Sequence, residues 1–116
     1  MTDPTGAAMT ELADVAGLVE VAAESTVSRT VLKAAGARLV LFAFDAGQEL
    51  TEHTAAMPVL LQVLDGRLRV TADDREVSLA PGGIVHLEAR VPHSVLALQP
   101  SRLLLTMLDP RVSPRP

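Results

Sequence analysis

Glycine-containing turns divide this chain into short segments, and they constrain its fold more than any other feature. Asp65-Gly66 lies between the apolar run Val59–Leu64 and the alternating run Arg67–Thr71. Asp-Gly between two such runs is a strong signal for a tight β-hairpin, because both central residues of a type I′ turn need a positive φ. Pro81-Gly82-Gly83 marks a further turn, and the runs between such turns are too short for most helices. The chain is therefore predicted to be all-β.

Short runs of this kind recur along most of the sequence, at the spacing expected of a β-sandwich or barrel. We predict eight or nine strands, which include the segments Val27–Lys33, Arg38–Phe44, Val59–Leu64, Arg67–Thr71, Glu76–Leu79, Ile84–Leu87, His93–Leu98 and Arg102–Leu108. Closing the sheet into a jelly-roll barrel would remove the exposed edges that so many apolar strands otherwise present.

The chain is long enough for one domain with a single core. We expect residues 1–26 to form a partly disordered N-terminal arm, with Met1–Gly6 disordered and Met9–Ala23 a short helix or an irregular arm. Residues 27–109 would form the barrel. Residues 110–116, which contain three prolines, would form a loose C-terminal tail.

Composition excludes several classes of function. The net charge of −4 and the 2% of aromatic residues argue against a nucleic-acid surface. Cysteine is absent, so thiolate chemistry and cysteine-based zinc sites are excluded. No apolar run approaches the roughly 20 residues that a membrane span needs. The N-terminus is acidic and lacks the basic region of a signal peptide, so a cytoplasmic location is expected.

Two motifs that contain glycine and histidine flank the predicted hairpin. In the first, Gly47 is followed by five residues and then by His53, and Gly66 closes the motif. The second contains Gly82 and ends at His93. Together they resemble a small single-domain cupin of the RmlC-like, conserved-barrel kind. The resemblance covers roughly residues 28–108 and implies a double-stranded β-helix, or jelly-roll barrel, with a short N-terminal arm or helix.

The sequence departs from the cupin pattern at the positions that bind metal. The family's usual site has three histidines and one glutamate. Here Ala55 stands at the second histidine position and Val59 at the glutamate position. In the second motif, Glu88 and Arg90 replace the proline and glycine of the turn, and Ala97 replaces the terminal asparagine. The resemblance thus implies the cupin fold with a degenerate metal site.

The resemblance also implies that His53 and His93 point into the barrel and meet there. The first hypothesis on function is a binding module of unassigned role, whose barrel holds a small, largely apolar ligand that the two histidines orient. The residues expected to form this pocket are His53, Ala55, Val59, Leu61, Val63, His93 and Val95. No catalytic residue is predicted.

The alternative hypothesis is a metal-dependent enzyme of the dioxygenase or isomerase kind. It would use His53 and His93 with a third ligand, because a tightly bound first-row metal needs at least three protein ligands. That ligand would come from His86, from water or from a partner. His86 is the candidate by residue type, and it lies on the strand face opposite Val85 and Leu87. The metal would be Ni, Fe, Mn or Zn. The loss of ligands at positions 55 and 59 favours the first hypothesis.

A homodimer is expected as well. Arg38–Phe44 and Arg102–Leu108 are apolar on both faces, as is typical of strands that are covered on both sides. One barrel interior covers only one face of each strand. Pairing with a second copy of the chain would cover the other.

Overall fold

The computed structural model describes residues 8–112, and the disorder predicted for Met1–Gly6 lies outside this range. Within it the chain forms one short 3₁₀ helix at Val15–Leu18 and nine strands. The strands are β1 (Thr26–Ala34), β2 (Ala37–Phe44), β3 (Glu49–His53), β4 (Val59–Asp65), β5 (Leu68–Ala72), β6 (Arg75–Leu79), β7 (Ile84–Leu87), β8 (His93–Ala97) and β9 (Ser101–Leu108). None of the helical structure in residues 8–112 is long and apolar enough to cross a membrane.

The strands form two antiparallel sheets that face each other. The larger sheet has the order β1-β2-β9-β4-β7, and the smaller has the order β3-β8-β5-β6. Within the described residues no hydrogen-bonded strand pair joins the two sheets, so the jelly roll is an open sandwich rather than a closed barrel. The predicted all-β jelly-roll fold is confirmed.

The core lies between the two sheets and follows from strand alternation. In β4, Val59, Leu61 and Val63 are each about 1% exposed, whereas Leu60 and Gln62 between them are only half-buried and face outward. Inward residues of β5, β8 and β9 complete the same cluster. Two phenylalanines of β2 also pack into it, with their ring centroids 5.9 Å apart. Burial of these aliphatic and aromatic side chains is the main force that holds the sheets together.

The N-terminal arm covers part of the outer face of the larger sheet. Val19 packs there with Leu41 and Ala43 of β2 in a second, smaller apolar cluster. The guanidinium of Arg102 anchors the arm, since its Nε donates to the carbonyl of Val19 at 2.8 Å while its Nη1 pairs with Asp65 at 2.7 Å. Residues 8–25 of the arm contain one 3₁₀ turn and are otherwise irregular.

The chain after β9 bends back over one end of the sandwich. The backbone N–H of Asp109 donates to the carbonyl of Gly36, and the N–H of Gly36 donates to the carbonyl of Val112. These two bonds hold residues 109–112 beside the hairpin between β1 and β2. Residues 113–116 of the predicted loose tail lie outside the described range.

Candidate ligand site

Strand register brings the two motif histidines together. His53 is the last residue of β3 and His93 is the first of β8, and the two are directly paired across the antiparallel ladder. Residues that are paired in this way project from the same face of a sheet. The two ring centroids lie 4.3 Å apart with a tilt of 55° between the rings. We call His53 and His93 the histidine pair.

Each ring of the histidine pair is fixed by the same local hydrogen bond. Nδ1 of His53 lies 2.9 Å from the carbonyl oxygen of Thr51, and Nδ1 of His93 lies 2.9 Å from that of Val91. A carbonyl oxygen can only accept, so Nδ1 carries the hydrogen in both rings. In the neutral imidazoles Nε2 is therefore left with a lone pair.

The two rings differ in their access to solvent. His93 is 2% exposed and forms part of the wall. His53 is exposed and lies at the mouth. One ring of the pair is thus accessible to solvent and the other is buried. A hydrogen bond to His93 would be made in an environment from which water is largely excluded.

A cavity of about 300 Å³ lies against the histidine pair. Its walls come from the inward faces of β2, β4 and β9, from the β3–β4 connection and from the segment after β9. The lining residues are Val40, Phe42, His53, Thr54, Ala55, Ala56, Met57, Val59, His93, Leu105, Met107, Asp109 and Arg111. Apolar side chains dominate, and few polar groups converge, as in most small-molecule sites.

The predicted pocket coincides with this cavity in part. His53, Ala55, Val59 and His93 line it. The other predicted members of the pocket do not: Leu61, Val63 and Val95 are each about 1% exposed and belong to the core between the sheets. Alternation identifies the inward face of a strand but not how deeply each position is covered by the opposite sheet.

Sequence reasoning missed the contributions of β2 and β9. Val40, Phe42, Leu105 and Met107 line the cavity, and their alternation along the two strands was a usable signal once the inward face was known. For Arg111 there was no such signal, because it follows the last strand and its place depends on the bend after Leu108.

Asp109 and Arg111 form an ion pair at the edge of this cavity. The Asp109 carboxylate accepts three hydrogen bonds from Arg111. Two come from Nε and Nη2 of the side chain, at 3.0 Å each, and one comes from the backbone N–H, at 2.9 Å. The side-chain hydrogen bonds from Arg111 are the main cause that lowers the pKa of the Asp109 carboxyl. The same pairing raises the pKa of the Arg111 guanidinium. Both groups are therefore charged at neutral pH.

The structure does not bring His86 to the histidine pair. His86 is paired with Leu60 on the outward face of the larger sheet, and it is exposed. Its neighbours Val85 and Leu87 point inward and pack on the core. His86 therefore lies on the wrong face of β7 to supply a third ligand within one chain.

The residues present do not fit the metal centre that the cupin family implies. The orientation of the two rings is suitable, since metal-bound histidines commonly donate their other nitrogen to a carbonyl. The donor count is not suitable. Across residues 8–112 there is no group of three or more His, Cys, Asp or Glu side chains that could hold a metal ion. Ala55 and Val59, which stand at two of the family's ligand positions, present a methyl and an isopropyl group to the cavity, and neither group can bind a metal.

A larger depression of about 580 Å³ lies elsewhere, between the edge strands β6 and β7. Its walls include Val77, Leu79 and Val85, and its rim carries charges of both signs. Neither member of the histidine pair lines it. The smaller cavity is therefore the candidate site.

The nine-stranded jelly roll, with a histidine from each motif at one cavity, defines the class of the protein. A sequence profile described as the cupin domain matches residues 40–108, which is more than half of the chain. The chain therefore belongs to the cupin family. A search of curated proteins found no match.

Solved structures show the same fold. The chain is similar to a cupin superfamily protein from Desulfitobacterium hafniense, with a TM-score of 0.78 and 21% identity over 87% of this chain and 93% of that one. It is similar to a protein from Thermus thermophilus, with a TM-score of 0.77 and 24% identity over 86% and 98% of the two chains. An RmlC-like cupin from Desulfovibrio desulfuricans gives a TM-score of 0.75 and 23% identity over 91% and 98%.

Proposed function

We propose that this cupin binds a small, largely apolar molecule in the cavity beside the histidine pair. The observation that carries the proposal is the proximity of the two rings, whose centroids lie 4.3 Å apart, together with the engagement of each Nδ1 by a backbone carbonyl. This arrangement leaves one nitrogen acceptor on each of two neighbouring rings, beside a cavity wall that is otherwise mostly apolar. Two fixed acceptors in such a cavity orient a ligand that carries a hydroxyl or an N–H group.

The size and lining of the cavity support a small ligand. A volume of about 300 Å³ lies at the lower limit for sites that enclose drug-sized molecules. The apolar part of the ligand can pack against the aromatic ring of Phe42 and the aliphatic side chains of Leu105 and Met107. Methionine adapts to ligands of irregular shape because its side chain is unbranched.

A metal-dependent enzyme is the second candidate function. One observation favours it: the bond from Nδ1 to a backbone carbonyl is the usual support of a histidine that binds metal through Nε2. With two protein donors the metal would need further ligands from water, substrate or a partner, which makes binding weak. The apolar residues at positions 55 and 59 make this candidate the weaker one.

Two measurements on protein purified without a histidine tag separate the candidates. Elemental analysis of the wild type and of His53→Ala tests for metal. We expect no stoichiometric Ni, Fe, Mn or Zn in either. A near-stoichiometric metal that is lost in His53→Ala would overturn the proposal in favour of the enzyme.

Thermal-shift screening with small hydroxyl- and amine-bearing compounds tests ligand binding. A ligand present at 100 times its Kd adds about 2.7 kcal/mol to the free energy of unfolding. In a domain of this size that raises Tm by on the order of 10 °C. We expect His53→Ala and His93→Gln to reduce the shift. His86→Ala removes a histidine from the opposite face and is the matched control that should retain it. Equal shifts in all three variants would contradict the proposal.

A further inference from the structure

The end of the cavity beside β9 contains an ion pair in which one nitrogen of the guanidinium has no hydrogen-bond acceptor among residues 8–112. Arg111 and Asp109 both line the cavity. The side chain of Asp109 is 11% exposed and that of Arg111 is 71% exposed, so the carboxylate is held against the protein while the guanidinium lies at the mouth. Nε and Nη2 of Arg111 bind Asp109. Nη1 makes no hydrogen bond to any residue in the range 8–112 and is available to an acceptor from solvent.

A second guanidinium lies beside Met107, one of the residues that line the cavity. Arg38 of β2 is paired with Met107 of β9, and its Nη2 donates to Sδ of Met107 at 3.5 Å. Met107 lines the cavity. Nε of Arg38 is fully buried and has no hydrogen-bond partner among the described residues. A buried N–H of a charged group without an acceptor is destabilising, so a negative charge held near this guanidinium would offset part of that cost.

Asp109 is the only acidic residue among the described residues that line the cavity. Of the ion pairs formed within residues 8–112, none includes Arg38. Its charge does reach Asp109, where it assists the hydrogen bonds and charge of Arg111 in lowering the pKa of that carboxyl. This end of the cavity therefore carries one excess positive charge, in a chain whose net charge is −4. Such a local excess is complementary to an anion.

We propose that the ligand of this cavity is a small carboxylate, an inference that rests on the proposed function and names its ligand class. The carboxylate group lies beside the Asp109–Arg111 pair, where Nη1 of Arg111 donates to one of its oxygens. The charge of Arg38, beside Met107, stabilises it further. The apolar body lies against Phe42 and Leu105, and a hydroxyl or amine hydrogen reaches the histidine pair.

The charge balance favours a carboxylate over a phosphate. One excess positive charge matches a monoanion, whereas a phosphate dianion would leave a negative charge unpaired next to apolar walls, which is strongly unfavourable. The planar guanidinium of arginine also suits the planar geometry of a carboxylate.

Calorimetry with benzoate and benzamide tests the inference. The two probes have nearly the same shape, and only benzoate carries a charge. We expect the wild type to bind benzoate about tenfold more tightly than benzamide, because a hydrogen bond between ions is roughly twice as strong as a neutral one. In Arg111→Gln the ratio should fall to about twofold or less. Arg111 is largely exposed, so this variant should remain folded.

Two further variants make the result specific. Arg67→Gln removes the same charge from an exposed position outside the cavity, and it should retain the full preference for benzoate. Arg38→Met should lose part of the preference, provided that circular dichroism shows the native β spectrum. A preference that survives in both Arg111→Gln and Arg38→Met would overturn the inference.

The outcomes also distinguish this inference from the proposed function. If benzoate and benzamide bind equally well while the hydroxyl- and amine-bearing compounds lose their thermal shift in His93→Gln, the cavity binds ligands but does not select anions, and only the inference fails. If neither probe nor any compound of the hydroxyl- and amine-bearing screen binds the folded wild type, the proposed function fails and the inference fails with it.

Discussion

Arg90 donates its backbone N–H to the carbonyl of Ala55 at 2.7 Å, and it does so in the left-handed conformation, with a φ of 68°. The bond ties the β7–β8 loop to the β3–β4 connection, which forms the mouth of the cavity. Left-handed φ values cost a residue that has a β-carbon roughly 1–2 kcal/mol. The loop beside the candidate site is therefore strained at this residue, where the cupin motif has a glycine.

Replacing Arg90 by glycine should stabilise the protein. Glycine keeps the N–H that bonds to Ala55 and removes the β-carbon that makes the positive φ costly. After the added backbone entropy of glycine is subtracted, we expect the free energy of unfolding to rise by roughly 0.5–1 kcal/mol. Urea denaturation measures it. Arg90→Ala removes the same charge but keeps a β-carbon, so a gain of equal size in that variant would contradict the explanation.

Gly66 should be far less tolerant of substitution than another glycine with a similar backbone conformation. Its φ is 84°, and an added β-carbon would collide with Oγ of Ser101 and the carbonyl of Pro100. Gly82 has a φ of 93° but open space around it. Gly66→Ala should cost roughly 3 kcal/mol or more, and Gly82→Ala about 1–2 kcal/mol. Similar losses in the two variants, measured by urea denaturation, would show that contact with Ser101 is unimportant.

The strands were predictable from the sequence because alternation and turn residues both mark them. The eight predicted segments all overlap observed strands, and Gly66 does lie at the turn between β4 and β5. The hairpin predicted at Asp65-Gly66 is wrong, because β4 and β5 belong to different sheets and Asp65, unlike Gly66, has no positive φ. β3 was not predicted as a strand. In Glu49–His53 only Leu50 is apolar, and the other residues are exposed, so there is no hydrophobic period to detect. This strand forms through backbone pairing with β8 instead of through burial of one face.

The candidate site was predictable only in part. The histidine pair follows from the two motifs and from the pairing of β3 with β8. The depth of Leu61 and Val95 was not predictable, because it depends on how the opposite sheet covers them. The placement of Arg38 and Arg111 at one end of the cavity was not predictable, since they are far apart in the chain and it depends on the bend that residues 109–112 make beside the β1–β2 hairpin.

Stability should decrease at acidic pH through two carboxylates. The pKa of Asp109 is lowered chiefly by hydrogen bonds from the Arg111 side chain, and the pKa of Asp45 by the backbone N–H groups of Glu24 and Ala46. A carboxyl whose pKa is lower in the folded state contributes stability above its unfolded pKa, and this is lost as the pH falls through the folded pKa. Because the ordinary value is 3.8, the loss should begin near pH 4 and continue below it.

Urea midpoints between pH 7 and pH 2.5 measure this dependence. Asp109→Asn and Asp45→Asn should lower the midpoint at pH 7 and flatten the curve below pH 4. Asp74→Asn is isosteric in the same way and removes a negative charge from an exposed turn, so it controls for net charge. If all three variants have curves parallel to that of the wild type, these hydrogen bonds do not stabilise the folded state.

The outer face of the larger sheet gives the homodimer hypothesis a location. The N-terminal arm packs on β2 near Leu41 and Ala43. Further across the sheet, Ile84 is 57% exposed, and Leu60 and Leu104 are half-buried on the same outward face. Apolar side chains that adjoin one another on a surface commonly mark a contact with another chain.

We therefore expect a homodimer that buries this face, with Leu104 near its centre. A charge placed there would be desolvated without a partner in the dimer but would remain hydrated in the monomer. Leu104→Arg should thus dissociate the dimer while the β spectrum is retained. Leu98→Arg, at another exposed leucine, is the control that should remain dimeric. Light scattering after size exclusion measures the mass, and a wild type of 12.2 kDa at micromolar concentration would refute the homodimer.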